Sequence, residues 1–233
     1  MTNKIYEICK LEIEKLKQNY NTISVFLVGS SKDIDLKLAD NNINDIDIFV
    51  FVNQGENQVR EIKRIEGIEF DINYFSRRGF KHLMDNKEYF FLNGMKDAKV
   101  IFDRNNTATG IIQLCRTKYQ EGPNQISDGE KCFLKSEMES NISRLKNKEK
   151  FDLFEYEFLV NLYLKELIVG YFTINNKWIP KDKKLFKELK KEDSYLYDLA
   201  NEIKGEEKYE KLLEIYDYIF KDIVMKNYIK ITY

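Results

Sequence analysis

The sequence predicts an α+β fold, with a small mixed β-sheet in the first half of the chain followed by an α-helical bundle. Two observations carry that expectation. Short β-branched and apolar runs at 23–28, 45–52, 68–75 and 98–103 have the length and alternation of strands. Beyond them, apolar residues recur at helical spacing over 130–148, 153–171, 182–191 and 207–226, and a chain with only 10 glycines and 2 prolines in 233 residues has little to interrupt helices.

The chain opens on an amphipathic helix marked by Ile5, Ile8, Cys9, Glu12 and Leu16. The first strand, 23–28, is apolar and ends at Gly29, where a tight turn or a close approach of backbone to a ligand is easiest. Ser30 and Ser31 then offer hydroxyls and N–H groups where a helix can begin, and helix N-termini bind phosphate through unpaired N–H groups. A triphosphate tail fits there; so does a plain turn with an N-cap. Residues 32–40 read as a short helix or irregular crossover in which Asp33 and Asp35 point different ways and stay solvated.

In the strand 45–52, Asp45 and Asp47 stand two apart, and a period of two turns both to one face. Such carboxylates repel unless a cation joins them. No basic residue adjoins them in sequence, and Mg²⁺ is the usual solution, the plain alternative being a solvated strand end. The strand 68–75 alternates so that Asp71, Asn73 and Phe75 share a face. If it pairs beside 45–52, Asp71 completes a cluster able to hold two Mg²⁺ ions, or Mn²⁺, one activating an attacking hydroxyl and the other neutralising a leaving pyrophosphate. A helix over 77–87 and a last strand at 98–103, before the Asn105-Asn106 turn, finish this half. In the second half, 121–124 and 147–150 read as connections.

Together, Gly29-Ser30, a spacer, Asp45 with Asp47, and the later Asp71 make the first half resemble the nucleotidyltransferases related to DNA polymerase beta. The spacer, 31–44, is slightly longer than is usual there. The resemblance implies a nucleotidyltransferase catalytic domain over 1–122 and a helical bundle domain over 123–233. It also implies a nucleoside triphosphate as donor, metals on Asp45 and Asp47, Asp71 assisting the attacking hydroxyl, and Ser30 gripping the outer phosphates beside Gly29 and Ser31.

Composition restricts partners and compartment. A formal net charge of −1 and a pI near 6.1 give no basic field for duplex DNA. Cys9, Cys115 and Cys132 form no Cys-x-x-Cys pair and leave one over from any disulfide, the pattern of reduced thiols in a cytoplasmic protein. No run is apolar and long enough for a leader or a membrane span. His82, the only histidine, sits in a polar stretch, which removes support for a histidine metal site or a serine triad.

The acceptor is the open question. A sheet domain followed by helices is also the arrangement of nucleotidyltransferases that modify antibiotics. By that likeness Glu155 or Glu157 offers a base from the helical half, while the Trp178-Ile179-Pro180 turn aims Lys177 or Lys181 at the triphosphate. The expected acceptor is then a small hydroxyl-bearing antibiotic, adenylylated from ATP. The segment 226–233, ending on Tyr233, resembles instead the nucleotidyltransferase of Hailong-type antiphage defence, where a tyrosine near the C-terminus primes template-independent synthesis of a short DNA oligomer. A phenol is a competent nucleophile once its pKa of about 10 is lowered. An aromatic end without a basic groove favours this second reading; a toxin that modifies RNA or protein would share the same first-half motifs. The 15 tyrosines and 16 phenylalanines serve the core first, with one or two left to stack a base.

Overall fold

A computed structural model describes residues 4–33, 45–204 and 207–225, with side chains from Tyr6 onward. The chain divides into two compact units, Met1–Glu121 and Gly122–Tyr233. The crossover at 34–40 with Asp35, the remainder of the spacer to Asn44, and Tyr233 lie outside the described residues.

In the first unit, strands β1 (Thr22–Leu27), β2 (Asp45–Val52), β3 (Gln58–Ile65), β4 (Ile68–Ser76) and β5 (Lys99–Asp103) form one mixed sheet in the order β3-β4-β2-β1-β5. Only β2 and β4 run parallel. β2 is central and covered on both faces, which is why it reads as an unbroken apolar run. Ile46, Ile48 and Val50 pack with Cys9 and Leu16 of helix α1 (Lys4–Gln18), joined by Phe70 and Ile72 of β4. On the opposite face Phe49 and Phe51 meet Phe75, Phe80 and Phe91, the last two carried by helices α2 (Arg77–Asp85) and α3 (Tyr89–Met95). Helix α4 (Ala108–Gln120) follows β5, its first turn capped by the Asp103 carboxylate, which accepts from the N–H groups of Thr107 and Ala108.

Four elements of this unit differ from or add to the sequence expectations. β3 carries Arg60, Glu61, Lys63 and Arg64 on an exposed edge, so it shows no apolar alternation; charge on an edge strand also discourages edge-to-edge pairing. It joins β4 through a two-residue turn in which Glu66 and Gly67 both have positive φ, 50° and 87°. The helix expected to reach residue 87 stops at Asp85, because Lys87 adopts φ 51° and the Asn86 N–H turns back to the His82 carbonyl. α3 and α4 also add to the expected elements.

The second unit is a bundle of helices α5 (Asp128–Arg144), α6 (Leu153–Ile174), α7 (Leu185–Glu192), α8 (Ser194–Asn201) and α9 (Lys208–Phe220). α5 and α6 both start with capping boxes, Ser127 with Glu130 and Asp152 with Glu155. α6 is the core helix: Val160, Leu167, Ile168 and Phe172 are at most 2% exposed. The helix expected over 182–191 is a 3₁₀ turn, Asp182–Lys184, leading into α7, and Asp193 then caps α8 by accepting from the Leu196 N–H at 2.9 Å. α9 ends at Phe220, where Lys135 Nζ donates to the carbonyls of Phe220 at 3.0 Å and Ile223 at 2.8 Å. No helix among the described residues is long and apolar enough to cross a membrane.

Candidate active site

The turn after β1 is tied to β2 atom by atom. Val28 N–H donates to the Asp47 carbonyl at 3.1 Å, prolonging the ladder, and Ser31 N–H closes the turn on the Val28 carbonyl at 3.1 Å. Gly29 lies between with φ +62°, and a Cβ there would come within 2.6 Å of Asp47 Oδ2. Glycine is therefore required twice over, by conformation and by contact. Ser31, only 1% exposed, turns inward and its Oγ accepts the Asp47 N–H at 2.9 Å. Gly29 and Ser30 face outward. Of the three turn residues, then, Gly29 and Ser30 are exposed and Ser31 fastens the turn to the strand that carries Asp47.

Gly29→Ala is expected to cost about 1–2 kcal/mol from the left-handed backbone alone. Relieving the contact would also push the Asp47 carboxylate aside. Urea denaturation measures the first effect, and an unchanged midpoint would show that the turn relaxes freely.

The carboxylates gather at one end of one sheet face. The parallel register sets Asp47 opposite Asp71 and Asp45 opposite Glu69, so all four side chains leave the same side of β2 and β4. Asp45 is exposed, while Asp47 and Asp71 are half-buried. The Asp71 carboxylate is bound in bidentate fashion by Arg60 of β3, from Nε at 2.9 Å and from a terminal guanidinium nitrogen at 2.8 Å. Asn73 Nδ2 adds a third bond at 3.0 Å and is itself oriented by Gln58 Nε2 at 3.0 Å. Arg64 holds Glu69 through one oxygen, Oε2, which receives both Nε at 2.9 Å and a terminal guanidinium nitrogen at 2.8 Å. The hydrogen bond to Asp71 chiefly, then the charges of Asp71, Glu69 and Asp47, push the Arg60 pKa further up.

Among the described residues no three His, Cys, Asp or Glu side chains come together as a metal-holding group. Asp71 stands in register beside Asp47, but its oxygens are engaged by Arg60. Asp45 and Asp47 are hard oxygen donors on one strand face, the kind of one- or two-carboxylate set that Mg²⁺ completes with waters and substrate phosphates.

The remaining expected site residues belong to the second unit, and most are committed locally. Lys177 is ion-paired with Glu192, whereas the Lys181 side chain is exposed and its carbonyl accepts from Lys184 N–H at 2.7 Å. Glu155 spends its carboxylate in the capping box, accepting from Asp152 N–H at 3.1 Å. Glu157 is ion-paired with Lys208. His82 is exposed beside Asn86. Sequence reasoning missed Arg60 and Gln58. The signal was the alternation of Gln58, Arg60, Ile62 and Arg64 before a Glu66-Gly67 turn, which sets Arg64 opposite Glu69 and Arg60 opposite Asn73, from where its side chain reaches diagonally to Asp71.

Comparison with known proteins gives a fold and no closer kinship. No family model matches the chain, and no curated protein matches it. Among solved structures it is similar to a nucleotidyltransferase-like protein from Exiguobacterium sibiricum 255-15, at a TM-score of 0.51 and 10% identity, over 93% of this chain and 74% of that one. The fold is nucleotidyltransferase-like. On that nucleotidyltransferase-like fold the Gly29-Ser30 turn and the Asp45/Asp47 strand end are neighbours through direct hydrogen bonds, which composition and spacing alone did not establish.

Proposed function

We propose that this protein is a metal-dependent nucleotidyltransferase that passes a nucleoside monophosphate from a nucleoside triphosphate to a hydroxyl. The observation that supports this most is the outward-facing Gly29-Ser30 turn bonded to Asp47 of the strand whose Asp45 shares a face with it. Asp45 and Asp47 would hold Mg²⁺, with Mn²⁺ able to replace it. The metal, when bound, neutralises phosphate charge and lowers the pKa of the attacking hydroxyl. Gly29 and Ser30 seat the outer phosphates through backbone N–H and hydroxyl groups. Asp71, released from Arg60, takes the proton as the acceptor oxygen bonds to the α-phosphorus and the bond to the β-phosphate oxygen breaks, so that pyrophosphate leaves with the electron pair.

For the acceptor we favour the phenol of Tyr233, with a short DNA oligomer as product in antiphage defence; the resemblance of segment 226–233 supports it. In the antibiotic reading Glu155, bonded in its capping box, and Glu157, paired with Lys208, would have to be released to act as base, just as Asp71 would from Arg60. Intact mass after incubation with Mg²⁺ and each ribo- and deoxyribonucleoside triphosphate tests both at once. The expected result is a ladder of nucleotide additions that Tyr233→Phe lacks. No addition with any triphosphate would overturn self-priming and direct the search to separate acceptors, beginning with hydroxyl-bearing antibiotics.

A further inference from the structure

Around Asp97, three cations converge on one carboxylate. Lys96 Nζ lies 2.6 Å from Asp97 Oδ2, Lys32 Nζ 3.7 Å from the same oxygen, and an Arg116 guanidinium nitrogen 3.8 Å from Oδ1. Arg116 Nε also donates to the Lys96 carbonyl at 3.1 Å, and Lys96 Nζ stands 5.0 Å above the Tyr119 ring. Asp97 alone thus faces three positive charges, in a chain whose overall formal charge is −1. A lysine at the end of α3 suits that helix's dipole, but this accounts for Lys96 alone. Arg116 comes from α4 and Lys32 from the 3₁₀ turn Ser31–Asp33, so three elements contribute to one spot.

The place of this cluster gives it meaning. Lys32 directly follows Ser31, the residue that fastens the Gly29-Ser30 turn to Asp47. The antiparallel β1–β5 register pairs Leu27 with Lys99, so the residues before Lys99 run back alongside those after Leu27, which brings Asp97 beside the turn. None of the four side chains is sealed away: Lys96 and Lys32 are 25% and 27% exposed, Arg116 and Asp97 43% each. Lys32, one residue beyond Ser31, thus links the turn to the cations around Asp97.

We propose that Lys32, Lys96 and Arg116 form the binding site for the β- and γ-phosphates of the donor, with Asp97 as a built-in counter-ion that the phosphates displace. This rests on the nucleotidyl-transfer reading and moves its phosphate cations from Lys177 and Lys181 to the first unit. Asp97 holds the cations together while no anion is bound; its carboxyl lies below its ordinary range, chiefly through the hydrogen bond from Lys96 and then the charges of Lys96, Lys32 and Arg116. A tripolyphosphate, with more charge and more acceptor oxygens than one carboxylate, replaces it on the same donors.

Calorimetric titration of the full chain with inorganic tripolyphosphate, without divalent metal and at 0.15 M salt, tests the proposal. Lys32→Met is expected to weaken binding about 3- to 10-fold, allowing for screening at a partly exposed site. The Lys96→Met/Arg116→Met double variant should lose more, and Asp97→Asn should bind several-fold tighter, since it keeps the cations and removes their competitor. Because Arg116 also braces the Lys96 carbonyl, Lys32→Met, which removes no such bond, keeps the test fair if the double variant misfolds. Binding within two-fold of wild type in Lys32→Met, or no tightening in Asp97→Asn, would overturn the phosphate site. The transfer reading is scored separately by nucleotide addition in the mass experiment: tripolyphosphate affinities that move as expected without any transfer would leave the anion site standing and remove the enzyme.

Discussion

Asp47→Asn is expected to lower nucleotide addition by about 1,000-fold or more, which corresponds to about 4 kcal/mol of transition-state stabilisation. The substitution keeps the shape of the side chain and the backbone bonds on either side of it, the Asp47 N–H to Ser31 Oγ at 2.9 Å and the Asp47 carbonyl from Val28 N–H at 3.1 Å. It removes the one negative charge that both adjoins the Gly29-Ser30 turn and shares a strand face with Asp45. The thermal midpoint should therefore move by no more than about 2–4 °C. Calorimetric titration with Mn²⁺ supplies a readout independent of turnover, and the variant should bind Mn²⁺ markedly more weakly. Full turnover in Asp47→Asn would sink the metal assignment, while a collapse of the thermal transition would show that the carboxylate serves the fold instead.

The effect is assigned to Asp47 because its backbone is bonded on both sides to the turn, through Val28 N–H and Ser31 Oγ, and because a Cβ at Gly29 would meet its carboxylate. Asp71 already has a bidentate arginine and an asparagine amide, and Arg60 is 58% exposed at its side chain, so this pair is a solvent-screened contact of small worth to stability. Its interest is chemical. In the proposed reaction Arg60 would have to give up Asp71 before that carboxylate took a proton, so the proposal requires a charge rearrangement ahead of transfer.

What could be read from the sequence follows burial. β2 and β4 were visible because central strands are apolar on both faces or alternate cleanly, and the spacing of Asp45, Asp47 and Asp71 carried over directly into the register that faces Asp47 to Asp71. β3 was not visible, since an edge strand written in arginine, lysine and glutamate looks like a loop, and with it went Arg60 and Gln58. The inward turn of Ser31 depends on a hydrogen bond to a residue 16 positions away, and no local pattern encodes that. The cations around Asp97 are likewise a product of the fold: Lys32, Lys96 and Arg116 are far apart in sequence and meet only because β5 returns beside β1 with α3 before it and α4 after it. Local pattern reports where the chain is buried or bent; partners contributed by exposed charged segments appear only once the sheet is assembled.

Phe91→Ala is expected to be the most destabilising of the substitutions considered, by about 3–5 kcal/mol. Phe91 is fully buried on α3 and lies against three rings of the sheet and one of α2: it stacks on Phe49 with 7° between planes at 6.0 Å, meets Phe75 edge-on at 5.1 Å and Phe80 of α2 at 5.9 Å, and tilts against Phe51 at 6.2 Å. Truncation removes the transfer energy of a large ring and leaves a hole that four rigid neighbours cannot close, and such edge and stacked pairs add about 0.5–1.5 kcal/mol beyond area. Against a total stability of about 5–15 kcal/mol this is a large fraction. The loss reaches the site through two routes on the same cluster. Phe49 follows Asp47 by two residues on β2, and α3, which Phe91 anchors, runs directly into Lys96 and Asp97. Differential scanning calorimetry should show the midpoint falling by about 10 °C, at about 2–4 °C per kcal/mol for a chain of this size. Leu153→Ala, at a residue 72% exposed, should stay within about 0.5 kcal/mol. In folded Phe91→Ala protein held well below its midpoint, tripolyphosphate affinity should still be weaker than in wild type, because the ring fixes the helix that presents Lys96. Wild-type affinity under those conditions would mean that the aromatic face stabilises the sheet without positioning the phosphate cations.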